Sequence, residues 1–189
     1  MHAVLFDMRA RPGHMPHYFE HVARLRPILE AHRGLHYIER FRPLDDADAI
    51  LSHQLWHDEA AIAAWRAEAE HRRSQGAGRA MHFEDYRIRV GAQVWHLPDP
   101  PPSNDAPEAQ TARLVVAVYR TAPCPAGRAY ESLTRPGRFL TLADAGDIAT
   151  ARDLAALGHA AGAEAAPVFR IGRDYGMTDR AEAPTAGRA

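Results

Sequence analysis

Apolar residues along this chain change their spacing several times, and each change marks an element. Val4, Leu5 and Phe6 centre an extended segment from His2 to Arg9, closed by the turn signal RPG at 11–13. From about His14 to His32 the period is helical, with Met15, Tyr18, Phe19, Val22, Leu25 and Leu29 on one side at about 100° per residue. Gly34 stands where a helix C-terminal glycine belongs. LHYIERFRPL and ILSHQLW read as two strands of a hairpin joined by DDADA. Asp58 is suited to cap a second helix that carries Ile62, Trp65 and Ala69 on one face and ends at QGAG. HFEDYRIRVGAQVW closes the series as a strand, with Phe83, Asp85 and Arg87 alternating against Glu84, Tyr86 and Ile88. The order is β-α-β-β-α-β.

Residues 97–110, LPDPPPSNDAPEAQ, hold five prolines and no apolar period, which predicts a semi-extended linker. Beyond it the first pattern returns in shortened form. ARLVVAVYR matches the opening strand, RAYESLTRPGRFLTLAD the hairpin, DIATARDLAALGH the second helix and PVFRIGRDYGM the closing strand. Only TAPCPAG separates the opening strand from the hairpin, too little for the first helix. The organisation predicted is a complete domain at 1–96, a linker at 97–110, a degenerate repeat at 111–180 and a flexible tail at 181–189. A β-α-β-β-α-β unit is the ferredoxin-like α+β plan, an antiparallel sheet with both helices on one face. The other face needs cover, so two such sheets are expected to close a barrel, by pairing of the two copies or by homodimerisation.

Composition removes several chemistries. All 23 basic residues are arginine. Without lysine there is no Schiff base, no covalent pyridoxal phosphate and no Walker A phosphate loop. The net charge of −1 carries no basic field of the kind nucleic-acid binders present. No apolar run approaches the ~20 residues of a membrane span, and the start MHAVLFDMRA lacks the features of a signal peptide. A single cysteine, Cys124, forms no internal disulfide and fits a reducing, cytoplasmic setting.

The first copy, residues 2 to 91, resembles the antibiotic biosynthesis monooxygenase domain family of dimeric α+β barrels. The segments that carry the resemblance are RPG at 11–13, GLHYIERF at 34–41, LWHDEAAIAAW at 55–65, EHRRSQGAGR at 70–79 and FEDYRIRV at 83–90. The resemblance implies an oxidoreductase acting on a hydrophobic, aromatic or polyketide-like small molecule, with neither metal nor flavin. The family also includes haem-degrading members, which place an axial histidine ten positions after the tryptophan of the second helix. Here that count from Trp65 reaches Gln75, which speaks against haem degradation.

An oxygenase without cofactor needs a dry pocket, a base, and donors for developing oxyanion charge. His71 is the candidate base, Gln75 lies one helical turn on, and Arg79 completes the catalytic set. Trp65 and Tyr86 are the candidate substrate-binding residues. Core packing explains Trp65 equally well, and a solvated charged face explains His71 among Glu70, Arg72 and Arg73. A different reading is a ligand- or metal-binding barrel without turnover. His14, His17 and His21 fall at i, i+3 and i+7, a spacing at which imidazoles can share a transition metal.

Overall fold

The computed structural model of the protein describes residues 1–97, 99 and 113–184. The first copy runs β1 (His2–Ala10), α1 (Met15–Glu30), β2 (Leu35–Pro43), β3 (Ala49–Trp56), α2 (Glu59–Ala67), α3 (Ala69–Ala77), a π-helix (Gly78–His82) and β4 (Phe83–Trp95). The second runs β5 (Leu114–Arg120), β6 (Arg128–Ser132), β7 (Phe139–Ala145), α4 (Ile148–Ala160) and β8 (Val168–Gly176), with no counterpart of α1. The linker read at 97–110 lies, apart from Leu97 and Asp99, outside the described residues. The beginning of the predicted tail is anchored. Glu182 accepts hydrogen bonds from Arg113 at 2.8 and 2.9 Å and from the Asp174 N–H at 2.7 Å.

The eight strands form one closed barrel in the order β1-β3-β2-β6-β7-β5-β8-β4. Each copy contributes a four-stranded sheet, and equivalent strands meet at both seams, β2 on β6 and β4 on β8, antiparallel. Pairing within the chain therefore closes the barrel and removes the sheet edges that would otherwise invite a partner. Side chains alternate across each strand. Ala3, Leu5, Phe41, Leu51, Val115, Leu140 and Phe169 point inward and fill the barrel. Val4, Ile88 and Val90 point outward, toward Trp56, Ile62 and Trp65 beneath the helices. Among the described residues no helix is long and apolar enough to cross a membrane.

Both copies start the helix after the hairpin with the same device. Asp58 accepts from the Ala61 N–H at 2.8 Å and Asp147 from the Thr150 N–H at 2.7 Å. The second helix itself departs from expectation. It is not continuous from the Asp58 cap to QGAG but breaks at Glu68, whose ψ of 129° is extended. The carbonyl of Trp65, which an unbroken helix would give to Ala69, is taken instead by the Glu68 N–H at 3.2 Å and by the ring Nδ1 of His71 at 3.0 Å. Gly34 also differs, since α1 ends at a cap on Ala31 and Gly34 is not left-handed. It is glycine because α2 crosses it closely: a Cβ there would stand 2.3 Å from the Cβ of Ala61. On α1, Tyr18 and Leu29 are buried as the spacing predicts, whereas Phe19 lies at the margin of the apolar stripe and is exposed.

The two copies treat their helices differently. In the second, Ala151, Ala155 and Gly158 of α4 sit directly on Val116 and Val118, and a Cβ on Gly158 would meet Val118 at 2.6 Å. In the first, a chamber lies between the sheet and the helices α2 and α3.

Candidate functional site

The chamber is a cavity of about 140 Å³ between the outer face of β1 and β4 and the helices α2 and α3. Its apolar wall includes Val4, Phe6, Ile62, Trp65, Ile88 and Val90. A second lobe of about 110 Å³ extends beneath α1 and shares Phe6, Gln54, Trp65, His71, Gln75 and Phe83 with the first. The partition between the lobes thus contains Trp65, His71 and Gln75. All five residues proposed as catalytic or substrate-binding line this space: Trp65, His71, Gln75, Arg79 and Tyr86.

His71 is held in a defined state. A carbonyl oxygen can only accept, so the 3.0 Å contact with Trp65 requires the proton on Nδ1 and leaves the lone pair on Nε2. The imidazole lies flat on the Trp65 indole, with ring centres 4.3 Å apart and planes 19° apart. Nε2 faces the Gln75 amide nitrogen at 3.5 Å, a long contact that a ligand can displace. Burial, only partly offset by the bond to Trp65, pushes the His71 pKa down to about 4. At neutral pH the ring is therefore an uncharged acceptor. Six residues apart in sequence, Trp65 and His71 make this stack only because the helix breaks between them.

Tyr86 projects from β4, with Phe6 and Phe83 against its ring at centroid distances of 6.1 and 6.2 Å. Its hydroxyl accepts a 2.7 Å hydrogen bond from Arg180, a residue after β8 that the sequence pattern did not single out. Tyr175 of β8 also lines the chamber, as do Arg66 and Gln54. Arg79, on the π-helix, is exposed at the mouth. Trp56 lies behind Trp65, fully buried, with its indole N–H donated to Gln54 at 3.0 Å.

The candidate metal residues meet elsewhere. His14, His17 and His21 gather around His82, the last residue of the π-helix, which the helical spacing could not include. The Nδ1 atoms of His14 and His82 are 3.0 Å apart, and the rings of His17 and His21 lie 5.0 and 5.5 Å from that of His82. His21 is already engaged, by Ser74 at 3.2 Å and Arg24 at 2.6 Å. Among the described residues, no three His, Cys, Asp or Glu side chains converge on a point that an ion could occupy.

Buried neutral imidazoles make stability depend on pH. Burial lowers His71 to about 4 and His53, fully buried in the barrel, to about 3, both from 6.5. A folded pKa below the unfolded one means that the unfolded chain binds more protons between those values. Stability is then complete above pH 6.5 and is lost as pH falls toward the folded pKa. Well below pH 6.5 each such ring contributes a slope of up to about 1.4 kcal/mol per pH unit. Urea unfolding midpoints are expected to fall steadily from pH 6.5 to 5, where most carboxylates stay ionised. Equal midpoints at both ends would show that these rings protonate freely in the fold.

Residues 1–77 match the model of a protein family described as antibiotic biosynthesis monooxygenase. A curated relative, the jasmonate monooxygenase ABM of Pyricularia oryzae, is 36% identical over 91 residues, which are 48% of this chain and 42% of that protein. The chain thus spans about two-fifths of that relative's length. Among solved structures, PA3566 of Pseudomonas aeruginosa is 16% identical and covers 50% of this chain and 94% of its own, with a TM-score of 0.45. A protein of Lactobacillus acidophilus NCFM is 6% identical and covers 90% of this chain and 92% of its own, with a TM-score of 0.47.

Proposed function

We propose that the chain, whose residues 1–77 match the antibiotic biosynthesis monooxygenase family, is an oxygenase for a hydrophobic, aromatic or polyketide-like small molecule, working without metal or flavin. The observation that carries this reading is a half-buried imidazole that bears its proton on Nδ1 and turns its Nε2 lone pair, 3.5 Å from the Gln75 amide, to a largely apolar chamber. His71 Nε2 takes a proton from an activated carbon or phenol of the substrate. The resulting anion gives electrons to dioxygen, and the Gln75 amide steadies the charge that develops beside it. Conversion of a methylene to a carbonyl balances without an outside reductant: CH2 and O2 become C=O and H2O. Trp65, Phe6 and Phe83 bound the aromatic body of the substrate and keep water out. The name of the Pyricularia relative supports oxygenation of a small molecule. A cytoplasmic location is part of the same reading and rests on the single cysteine.

Oxygen uptake tests it. Protein dialysed against chelator and free of flavin absorbance is mixed with a panel of phenolic compounds that carry an activated methylene. One dioxygen consumed per carbonyl formed is the expected result for a member of the panel. No uptake across the panel, or uptake only after adding metal or flavin, would overturn the proposal.

A further inference from the structure

The charges around the chamber are all of one sign. Arg66, Arg79 and Arg180 line the main lobe and Arg40 the lobe beneath α1, while no Asp or Glu among the described residues lines either. Among the described residues none of these four arginines has a carboxylate partner, although Arg9, Arg87, Arg128 and Arg138 are all ion-paired elsewhere. Positive groups beside an apolar wall, with no carboxylate among the lining residues, are open to an anion from outside. A guanidinium is suited to that task because its planar fork matches a carboxylate in two places.

The geometry points to a ligand with a carboxylate head, held at the chamber mouth by Arg180 and Tyr86, its apolar body directed inward to Phe6, Ile62 and Trp65. Arg180 commits Nη1 to the Tyr86 hydroxyl at 2.7 Å and the Gly176 carbonyl at 3.3 Å. Its Nε and Nη2 have no partner among the described residues. Tyr86 accepts from Arg180 and so keeps its own proton to donate. The guanidinium lies over the Tyr175 ring, 5.8 Å from its centre. Arg180 and Tyr175 both come from the second copy and reach the first across the β4–β8 seam, where Ile88 is paired with Tyr175. The degenerate copy, its own helix packed flat on its sheet, thus completes the mouth of the other copy's chamber.

This inference deepens the proposed function by naming the substrate class, and it rests on the same chamber being the binding site. Binding tests it without turnover. Calorimetric titration of the full chain with 4-phenylbutyrate and with its methyl ester should show the carboxylate binding at least tenfold more tightly. Arg180→Gln should remove that preference by weakening the carboxylate alone, and Arg180→Lys, which keeps charge but not the fork, should fall between. Arg152→Gln on α4, remote from the chamber, should change nothing. Equal affinity for acid and ester, no binding of either, or an unchanged preference in Arg180→Gln with the far-ultraviolet spectrum of the parent would each overturn the inference. Tight, Arg180-dependent carboxylate binding in a protein that consumes no oxygen would sink the oxygenase reading and leave this one standing.

Discussion

Arg138→Ala is expected to destabilise the barrel by about 3–5 kcal/mol, the cost of leaving a buried charge without its partner. The charge is Glu39, on β2 in the barrel interior and only 4% exposed. Its carboxylate accepts from Arg138, from the Tyr37 hydroxyl and, at 2.5 Å, from Ser132. Arg138 reaches it from the turn before β7, donates to Glu164 at 3.2 Å, and lies over the Tyr119 ring at 4.8 Å. Glu39 therefore ties the first copy to Ser132 and Arg138 of the second, and burial together with the Glu39 bond holds the Tyr37 hydroxyl well above its ordinary pKa. Once Arg138 is removed, the nearest remaining cation is Arg135, 3.9 Å away and largely exposed. Urea unfolding of Arg138→Ala and of the double variant Glu39→Gln/Arg138→Ala reads the effect, with the double variant expected to recover much of the loss. A cost below 1 kcal/mol for the single change would mean that water or Arg135 already neutralises Glu39.

His71→Ala is expected to lower turnover by a factor of about 10²–10⁴, the usual contribution of a positioned base. The fold should survive it, because the lost bond to the Trp65 carbonyl is worth only about 1 kcal/mol. The pH profile separates a base from a packing residue. A base must be unprotonated to act, and with its pKa lowered to about 4 His71 keeps that form far below the ordinary histidine range. The parent's rate should stay level from pH 8 to about 5 and fall only toward pH 4, while the residual rate of His71→Ala should lack that acid limb. A His71→Ala enzyme with parental kcat would remove His71 from the chemistry and leave it as a stacking partner for Trp65.

Element order was legible in the chain because helix and strand periods are local properties. Spacing at 3.6 or 2 is imposed by backbone geometry wherever a face is buried, and α1, the hairpins and the closing strands follow it. The caps Asp58 and Asp147 were legible for the same reason, since each satisfies an N–H three residues on. The repeat was visible because both copies obey the same periods. The break at Glu68 was not, because Ile62, Trp65 and Ala69 fit an unbroken helix equally well. At the break the His71 ring bonds the Trp65 carbonyl, a contact of which propensity carries no sign. Gly34 misled for a related reason: it has the place of a helix terminator but serves a crossing 27 residues downstream, at Ala61.

Sequence alone determined a ferredoxin-like unit, a second copy without its first helix, and the set of Trp65, His71, Gln75, Arg79 and Tyr86 that lines the chamber, since all of these follow from local spacing or from a resemblance carried by contiguous segments. Tertiary structure decided that the two sheets close one barrel within the chain, that His71 lies on Trp65 as an uncharged ring, that His82 joins His14, and that Arg180 reaches Tyr86 from 94 residues away. Contacts of that kind arise from how finished sheets and helices dock. Their energy depends on burial and on distance in space, and no residue's neighbours in the chain record either.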